Sequence, residues 1–298
     1  MARTQSQAIL FELLRSYTTL ARTLNLSKAV RELGSTRQTV RRHIQLLEER
    51  KGEALFCLED RQYHLTEAGK RSLREAEDLL ARSEAWLNSC SDHVNGLFHL
   101  VFDDDDAELP YFLQQHPLSR LWVDSTPLLQ EAFQSWARSK GELESPEFEK
   151  IRPYVMVFRR LEEDWICVEI GNKSSYATWY GWRRERSSVG RGVADLPGGT
   201  NFANLLAQPF QDVRAQGGVR LDHIHTHLCD ETGENMVPIS YQRLLMAFRF
   251  PDGSFALAAL IDRTHDIAIA GLDSETAKTM PEKFIMNIAE SALKIPKK

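Results

Sequence analysis

The 298-residue sequence lacks the features that would place it in a membrane or in an oxidising compartment. No apolar run approaches the roughly 18 residues that a membrane-spanning helix needs. The first residues show no signal-peptide pattern, because Glu12 and Arg15 interrupt the apolar stretch. The four cysteines are far apart and none has CxxC spacing: Cys57, Cys90, Cys167 and Cys229. We therefore predict a cytoplasmic protein with no disulfides and no membrane partner.

The common catalytic signatures are missing as well. The sequence contains no GxSxG, HExxH, GxGxxG or P-loop pattern. Cys167, Cys229 and the histidines could supply a nucleophile and a base, but nothing in their spacing fixes a geometry. We predict that the chain is not an enzyme.

Charge is divided unevenly along the chain. Residues 1–70 hold 12 Lys and Arg against 8 Asp and Glu, a net of +4. The other 228 residues hold 25 against 34, a net of −9, which gives −5 overall. A basic N-terminal part can still engage phosphate, because screening confines the field of the acidic remainder to about 10 Å.

Two short helices with a tight turn between them are indicated at residues 27–50. The first has Ser27 as a candidate N-cap and Gly34 as its stop. The second opens at Ser35-Thr36, where Gln38 completes capping-box spacing after Ser35. Its apolar residues share one stripe at helical spacing: Val40, Ile44 and Leu47. Two helices joined in this way are the unit of a helix-turn-helix.

A wing and a long helix follow. Residues 55–56 and 63–65 are indicated as short strands on either side of a polar tip at residues 59–62. Thr66 is a candidate cap for a helix over residues 67–87. Its apolar positions are Leu73, Ala76, Leu79, Leu80 and Leu87. Because this stripe exceeds what the helix can bury alone, we expect a partner helix from a second copy.

The exposed face of the second helix suits the major groove of DNA. Arginine can pair bidentately with guanine and glutamine with adenine, whereas contacts to phosphate position the protein without specifying sequence. The alternative is an exposed basic face with no function. The candidate DNA-binding residues are Ser27, Lys28, Thr36, Arg37, Gln38, Thr39, Arg41, Arg42, Gln45, Arg61 and Gln62.

Residues 8–69 resemble the N-terminal domain of LysR-type regulators. The stretches that carry the resemblance are SKAVRELGSTRQTVRRHIQLLEE, GEALF and LTEAG, in the order and spacing of that family. Three positions depart from it. Leu58 stands where the family usually has arginine, Arg41 where serine is common and Gln38 where proline is frequent. The resemblance implies a winged helix-turn-helix that binds double-stranded DNA, and the departures imply a different base preference.

The rest of the chain shows another pattern. The periodicity breaks at residues 91–110, where Asp103–Asp106 is typical of a solvated linker. A helical region at residues 118–140, interrupted by Pro127, precedes strands at 152–160 and 165–170. Two helices, three strands (218–229, 238–250 and 254–262) and a terminal helix from Pro281 follow.

This order of two strands, helices and three strands resembles PAS-like sensor modules of bacterial regulators, and it lacks the repeated β-α-β pattern of LysR effector domains. The predicted fold class is α+β. It comprises a winged helix-turn-helix at residues 1–66, a linker and dimerisation helix with its connector at 67–110, and a PAS-like antiparallel sheet with flanking helices at 111–298.

Two groups of residues in the second part are candidates for ligand binding. Four aromatic residues cluster within seven positions, where they suit either a pocket or ordinary core packing: Tyr176, Trp179, Tyr180 and Trp182. Alternating residues place His223, His225, His227 and Cys229 on one face of a strand. Neighbouring ligands on one strand seldom complete a tetrahedral site, so we predict a small organic effector there and neither a metal nor haem.

The combined prediction is a homodimeric, sequence-specific transcriptional regulator whose PAS-like domain senses a small molecule. The alternative is a DNA-binding regulator whose C-terminal domain is a ligand-free module for protein interaction or dimerisation.

Overall fold

The computed structural model describes residues 10–59, 62–87, 91–102, 110–161, 164–230, 232–233 and 235–288. Its internal contacts divide the chain into two units, Met1–Ser89 and Cys90–Lys298. Within the described ranges, no helix combines the length and the apolar character needed to cross a membrane.

The described part of the first unit contains four helices and a two-stranded sheet. Its elements are α1 (Leu10–Thr23), α2 (Leu26–Glu32), α3 (Arg37–Lys51), β1 (Phe56–Glu59), β2 (Gln62–Leu65) and α4 (Glu67–Leu87). β1 and β2 pair as an antiparallel hairpin, with Phe56 opposite Leu65. The helices enclose one core, to which Tyr17, Ala29 and Leu55 contribute fully buried side chains.

The first turns of α4 belong to this core. Ala76 is buried in it, and Leu73 packs against it. Leu80 is half-buried, and Leu79 is exposed. The apolar stripe of α4 therefore has two parts. Leu73 and Ala76 pack into the core of the unit, whereas Leu79 and Leu80 leave apolar surface accessible.

The second unit is built on one antiparallel sheet. Its strands are β3 (Ser91–Val94), β4 (Leu97–Phe102), β5 (Tyr111–His116), β6 (Val155–Leu161), β7 (Asp164–Ile170), β8 (Val219–Cys229), β9 (Met236–Arg249) and β10 (Phe255–Arg263). The strand order is β3-β4-β5-β8-β9-β10-β6-β7. Its helices are α5 (Pro127–Ser139), α6 (Ser175–Ser188), α7 (Gly199–Gln216) and α8 (Ser274–Ala277).

Both faces of this sheet are covered, so strand residues alternate between two apolar layers. On one face, Val157, Leu244 and Ala258 lie in a core with residues of α5. On the other face, Phe158 and Ala259 lie in a core with residues of α6 and α7. We call this second face the α6–α7 face.

Several elements differ from the sequence analysis. Residues 91–102, expected in a connector, form β3 and β4, and residues 111–116 form β5. Pro127 does not interrupt a helix but begins α5, because proline suits the first helical turn, where its missing N–H is not needed. The helix expected from Pro281 is absent up to residue 288, where only a 3₁₀ turn (Glu282–Phe284) forms. Asp103–Asp106 lies outside the described residues.

Candidate nucleic-acid interface and internal cavity

Side-chain caps fix the starts of α2 and α3, one residue or more from where the sequence analysis placed them. Asn25, not Ser27, caps α2, and its Oδ1 accepts from the backbone N–H groups of Ser27 and Lys28 at 3.0 and 3.1 Å. Thr36 caps α3, with its Oγ1 accepting from the N–H of Thr39 at 3.1 Å. This bond replaces the capping box that was expected between Ser35 and Gln38. The hydroxyl oxygens of Thr36 and Thr39 are also hydrogen-bonded to each other, at 2.9 Å.

The caps hold α3 with one face buried and the other free. Val40, Ile44 and Leu47 are buried, as their stripe predicted. The opposite side of the helix carries exposed residues: Gln38, Arg41, Arg42 and Gln45. This helix thus presents two arginines and two glutamines to solvent, which are the residue types that can read guanine and adenine.

The other candidate residues lie around this helix. Arg37 is exposed and donates to Oγ of Ser27 at 2.8 Å, which links α3 to α2. Lys28 is exposed on α2, and Gln62 is exposed at the start of β2. Arg61 lies outside the described residues.

Glu48 joins the helix to the wing, a role that the sequence analysis missed. One oxygen of its carboxylate accepts from the N–H groups of Leu55 and Phe56, at 2.7 and 3.1 Å. Arg41 borders the hollow between α3 and the wing, with Leu58 and Tyr63 on the wing side. In the sequence, the signal for this contact was an acidic residue, Glu48, on the flank of the helix that is half-buried.

A helical core with a helix-turn-helix and a two-stranded wing is the architecture of a winged helix-turn-helix. Residues 11–70 match the family model described as "Bacterial regulatory helix-turn-helix protein, lysR family". The first unit therefore carries a LysR-type DNA-binding helix-turn-helix, as its sequence predicted.

Curated relatives match over part of the chain. The chain is 40% identical over 83 residues to the HTH-type transcriptional activator AllS of Salmonella paratyphi A, which covers 28% of this chain and 26% of AllS. It is 28% identical over 155 residues to the HTH-type transcriptional regulator DgdR of Burkholderia cepacia, covering 49% of this chain and 53% of DgdR. The matches thus span about a quarter to a half of these relatives.

Solved structures give similar local matches. The CbnR DNA-binding domain in complex with DNA is 25% identical, with a TM-score of 0.26, and the match covers 26% of this chain and 91% of that one. Oxidised OxyR of Corynebacterium glutamicum is 23% identical, with a TM-score of 0.26, over 28% of this chain and 26% of that one.

The second unit contains a cavity of about 90 Å³ between the α6–α7 face and its helices. Three of the four clustered aromatic residues line it: Tyr176, Trp179 and Tyr180. Trp182 does not; its side chain is 63% exposed, because Gly181 breaks the helical backbone before it (φ 76°, ψ 166°).

Trp179 is held from three sides. Its Nε1 donates to the carbonyl of Cys229 at 2.9 Å, and its ring packs on Phe284 with centroids 4.4 Å apart. The guanidinium carbon of Arg263 lies 5.5 Å from the ring centroid. These contacts make Trp179 a fixed part of the cavity wall.

The histidine row lies on the other face of the sheet and does not line this cavity. His223 and His225 are buried, and His227 is half-buried. His225 Nδ1 is 2.9 Å from Oγ of Ser240, and the rings of His223 and His116 lie 4.1 Å apart. Among the described residues, no three His, Cys, Asp or Glu side chains are arranged to hold a metal ion.

Side chains from three strands hold the backbone at residues 268–270 on that other face. The N–H of Ala268 donates to Nδ1 of His223 at 2.9 Å, and its carbonyl accepts from Nε2 of His116 at 2.8 Å. His99 and Gln114 bond the carbonyl and N–H of Ala270, at 2.9 and 2.7 Å. His99 and His116 thus hold this backbone through ring nitrogens, whereas Nε2 of His223 is buried without a hydrogen-bond partner among the described residues.

A buried ionic group on the α6–α7 face also escaped the sequence analysis. Arg243 of β9 lies directly opposite Asp222 of β8 and donates to its carboxylate from Nη2 at 2.8 Å. Asp222 also accepts from Nε of Arg220 at 2.7 Å. Burial opposes the charge on Arg243, but Asp222, Tyr111 and Tyr241 together outweigh it, so the pKa of the guanidinium is raised. Residues 220 and 222 alternate with the histidines, so the same period of two could have revealed this group.

Proposed function

We propose that the chain is a sequence-specific transcriptional regulator that binds double-stranded DNA through α3 and the wing. The observation that carries the proposal is the exposed face of α3, in a unit whose sequence matches the LysR-type helix-turn-helix. Its cap residues and buried stripe fix this helix on the core, so Arg41 and Arg42 are presented on a rigid element.

We infer a homodimer in which α4 pairs the two subunits. Leu79 is exposed and Leu80 is half-buried on this helix, so both leave apolar surface accessible to a partner. Two recognition helices related by a dyad would read half-sites about 34 Å apart. Such a regulator acts on the chromosome, in agreement with the cytoplasmic location expected from the sequence.

We further propose that the second unit is a PAS-like sensor for a small organic molecule. Its support is the five-strand segment β8-β9-β10-β6-β7, whose chain order is two strands, helices and three strands, with a cavity beneath the helices. Tyr176, Trp179 and Tyr180 give the cavity the aromatic wall that is common in ligand pockets.

We infer no catalytic role for the chain. Burial raises the pKa of the Cys167 thiol to about 12, so this cysteine is not a nucleophile at neutral pH.

The test of DNA recognition uses the full chain. Sites would be mapped across the genome, and binding to a mapped site would be compared with binding to unrelated DNA at equal salt. A specific regulator is expected to prefer its site by about 10³-fold or more. Equal affinities would overturn the proposal.

The second candidate, a ligand-free interaction module, is favoured by one surface feature. Trp122 and Val123 are 53% and 78% exposed beside one another. Native mass spectrometry of the purified chain separates the two candidates. A co-purifying small molecule supports the sensor; its absence, together with no thermal shift from any metabolite, supports the interaction module.

A further inference from the structure

Arg243 stands at the cavity wall with one edge of its guanidinium unpaired. Its Nε and Nη2 donate to Oδ2 of Asp222, at 3.2 and 2.8 Å. Nη1 is buried as well and has no hydrogen-bond partner among the described residues. The guanidinium is planar and rigid, so the edge that faces Asp222 leaves Nη1 directed away from that carboxylate. A buried charged donor without an acceptor is unfavourable, and such a group calls for an explanation.

Neither carboxylate nearby is free to satisfy Nη1. Asp222 is shared with Arg220, whose Nε donates to the other carboxylate oxygen at 2.7 Å. Arg220 pairs in addition with Asp212 of α7. Two buried guanidiniums therefore already use these two carboxylates, and among the described residues no further carboxylate accepts from Nη1 of Arg243.

A second arginine adds positive charge beside the cavity. Arg263 donates from Nη1 to Oγ of Ser175 at 2.8 Å, and from Nε to the carbonyl of Phe284 at 2.7 Å. Ser175 itself lines the cavity. Burial lowers the pKa of Arg263 to about 10, so it remains charged at neutral pH. Asp262, its neighbour in the chain, points to the other face of the sheet, where it accepts from Thr126.

Tyrosine hydroxyls supply neutral donors around Arg243. Tyr241 and Tyr180 line the cavity, and the buried hydroxyl of Tyr111 lies within hydrogen-bonding range of the Arg243 guanidinium. Burial raises the pKa of all three phenols, so they stay protonated and can donate.

The cavity is apolar away from this group. Arg243 is on β9, whereas Met156 and Phe158 project from β6, two strands further along the same face. Strands lie about 4.8 Å apart, so this apolar wall is roughly 10 Å from the arginine. Ala259 of β10 lines the space between them.

We propose that the cavity binds an amphipathic organic anion, with its carboxylate on Nη1 of Arg243 and its apolar body over β10 and β6. The proposal rests on the proposed sensor function and specifies the chemical class of its ligand. A neutral apolar molecule would fill the same space but would leave Nη1 unpaired.

Paired acids and amides test this directly with the full chain. Isothermal titration at pH 7.5 would compare propionate with propionamide, butyrate with butyramide, and pentanoate with pentanamide, acids small enough for a cavity of about 90 Å³. At least one acid is expected to bind, and its amide to bind about tenfold or more weakly, because a carboxylate forms charge-assisted bonds with arginine. Trp182→Ala, an exposed change outside the cavity, should keep this preference.

Two variants locate the site. Arg243→Gln should bind the acid and its amide equally, since the charge that separates them is gone. Ala259→Leu fills the cavity without touching the ionic group and should abolish binding of both. Acid binding that survives Ala259→Leu would place the ligand elsewhere and overturn the proposal, even if Arg243→Gln failed to fold.

The outcomes separate this inference from the proposed function. An amide that binds as tightly as its acid would overturn the proposal of an anionic ligand, but it would leave the proposed sensor function standing. If none of the acids bound, the proposal of an anionic ligand would also be overturned. The proposed sensor function would be contradicted if native mass spectrometry then found no small molecule on the purified chain.

Discussion

A Cβ atom placed on Gly69 would lie 2.2 Å from the carbonyl oxygen of Leu55. The first turn of α4 thus approaches the start of the wing more closely than any side chain allows. The same carbonyl of Leu55 accepts from the N–H of Thr66 at 3.0 Å, and Oγ1 of Thr66 accepts from the N–H of Gly69 at 3.0 Å. The hydroxyl of Tyr17, on α1, donates to the carbonyl of Gly69 and so links α1 to the first turn of α4.

Gly69→Ala is therefore expected to destabilise the first unit by about 1–3 kcal/mol, the usual cost of overpacking. Denaturant unfolding of the full chain measures it, with Gly218→Ala as the matched control. Gly218 has open space around its Cβ position and no positive φ, so the control should stay within about 0.5 kcal/mol of the wild type. Equal stability of the two variants would mean that the close approach is absent.

Arg41→Ala is expected to weaken binding to a mapped site by about 1–3 kcal/mol, since it removes one side chain from the exposed face of α3. Arg50→Ala is the control, because Arg50 is exposed at the opposite end of the same helix. Gel-shift or anisotropy titrations at fixed salt give both affinities. If Arg41→Ala bound like the wild type, or if Arg50→Ala lost as much, the assignment of the groove face would be wrong.

Trp179→Ala and Trp182→Ala separate a cavity wall from a surface position. Removing Trp179 deletes a buried ring and leaves the carbonyl of Cys229 without its donor, which should cost about 3–5 kcal/mol. Removing the exposed Trp182 should change stability by less than about 0.5 kcal/mol. Thermal unfolding of both variants provides the measurement. Similar losses would show that Trp182 is also packed.

Acid should weaken the second unit through His223. Burial lowers the pKa of His223 to about 2, whereas an unfolded histidine titrates near 6.5. Below about pH 6.5, the unfolded chain therefore binds a proton at His223 that the folded chain does not bind. This contribution to stability is intact above about pH 6.5 and falls by about 1.4 kcal/mol per pH unit well below it.

His223→Gln keeps an acceptor for the N–H of Ala268 but cannot be protonated. The stability lost between pH 7.5 and pH 5 should be about 2 kcal/mol smaller in this variant than in the wild type. His93→Gln, at an exposed position, should lose as much stability as the wild type. An unchanged acid sensitivity in His223→Gln would contradict a neutral buried imidazole at this position.

Local patterns sufficed for most of the first unit. The stripe of Val40, Ile44 and Leu47 predicted both the helix and its buried face, because a helix on a small core must hide one side. The caps were misplaced by one or two residues. Asn25 and Ser27 both suit an N-cap, and the choice depends on where the preceding helix α1 ends.

Long-range pairing explains what the sequence could not reveal. β3 was missed because an edge strand of mixed polarity lacks a clear alternation, and β4 because an apolar run without alternation is defined only by its place between β3 and β5. Tyr176, Trp179 and Tyr180 of the aromatic cluster line the cavity, but the break at Gly181 turned Trp182 outward, which the sequence pattern did not indicate. The pairing of Arg243 with Asp222 required the register of β8 against β9.

The division of the chain between Ser89 and Cys90 has a consequence for the evolution and for the engineering of such proteins. Each side closes its own core, one around Tyr17 and Leu55 and the other around the sheet of the second unit. If the proposed functions hold, recombination at this junction would exchange the signal that the regulator answers while its operator stays the same. The reverse exchange would direct the same sensor to other genes. A biosensor assembled by splicing at this junction would keep each of the two cores whole.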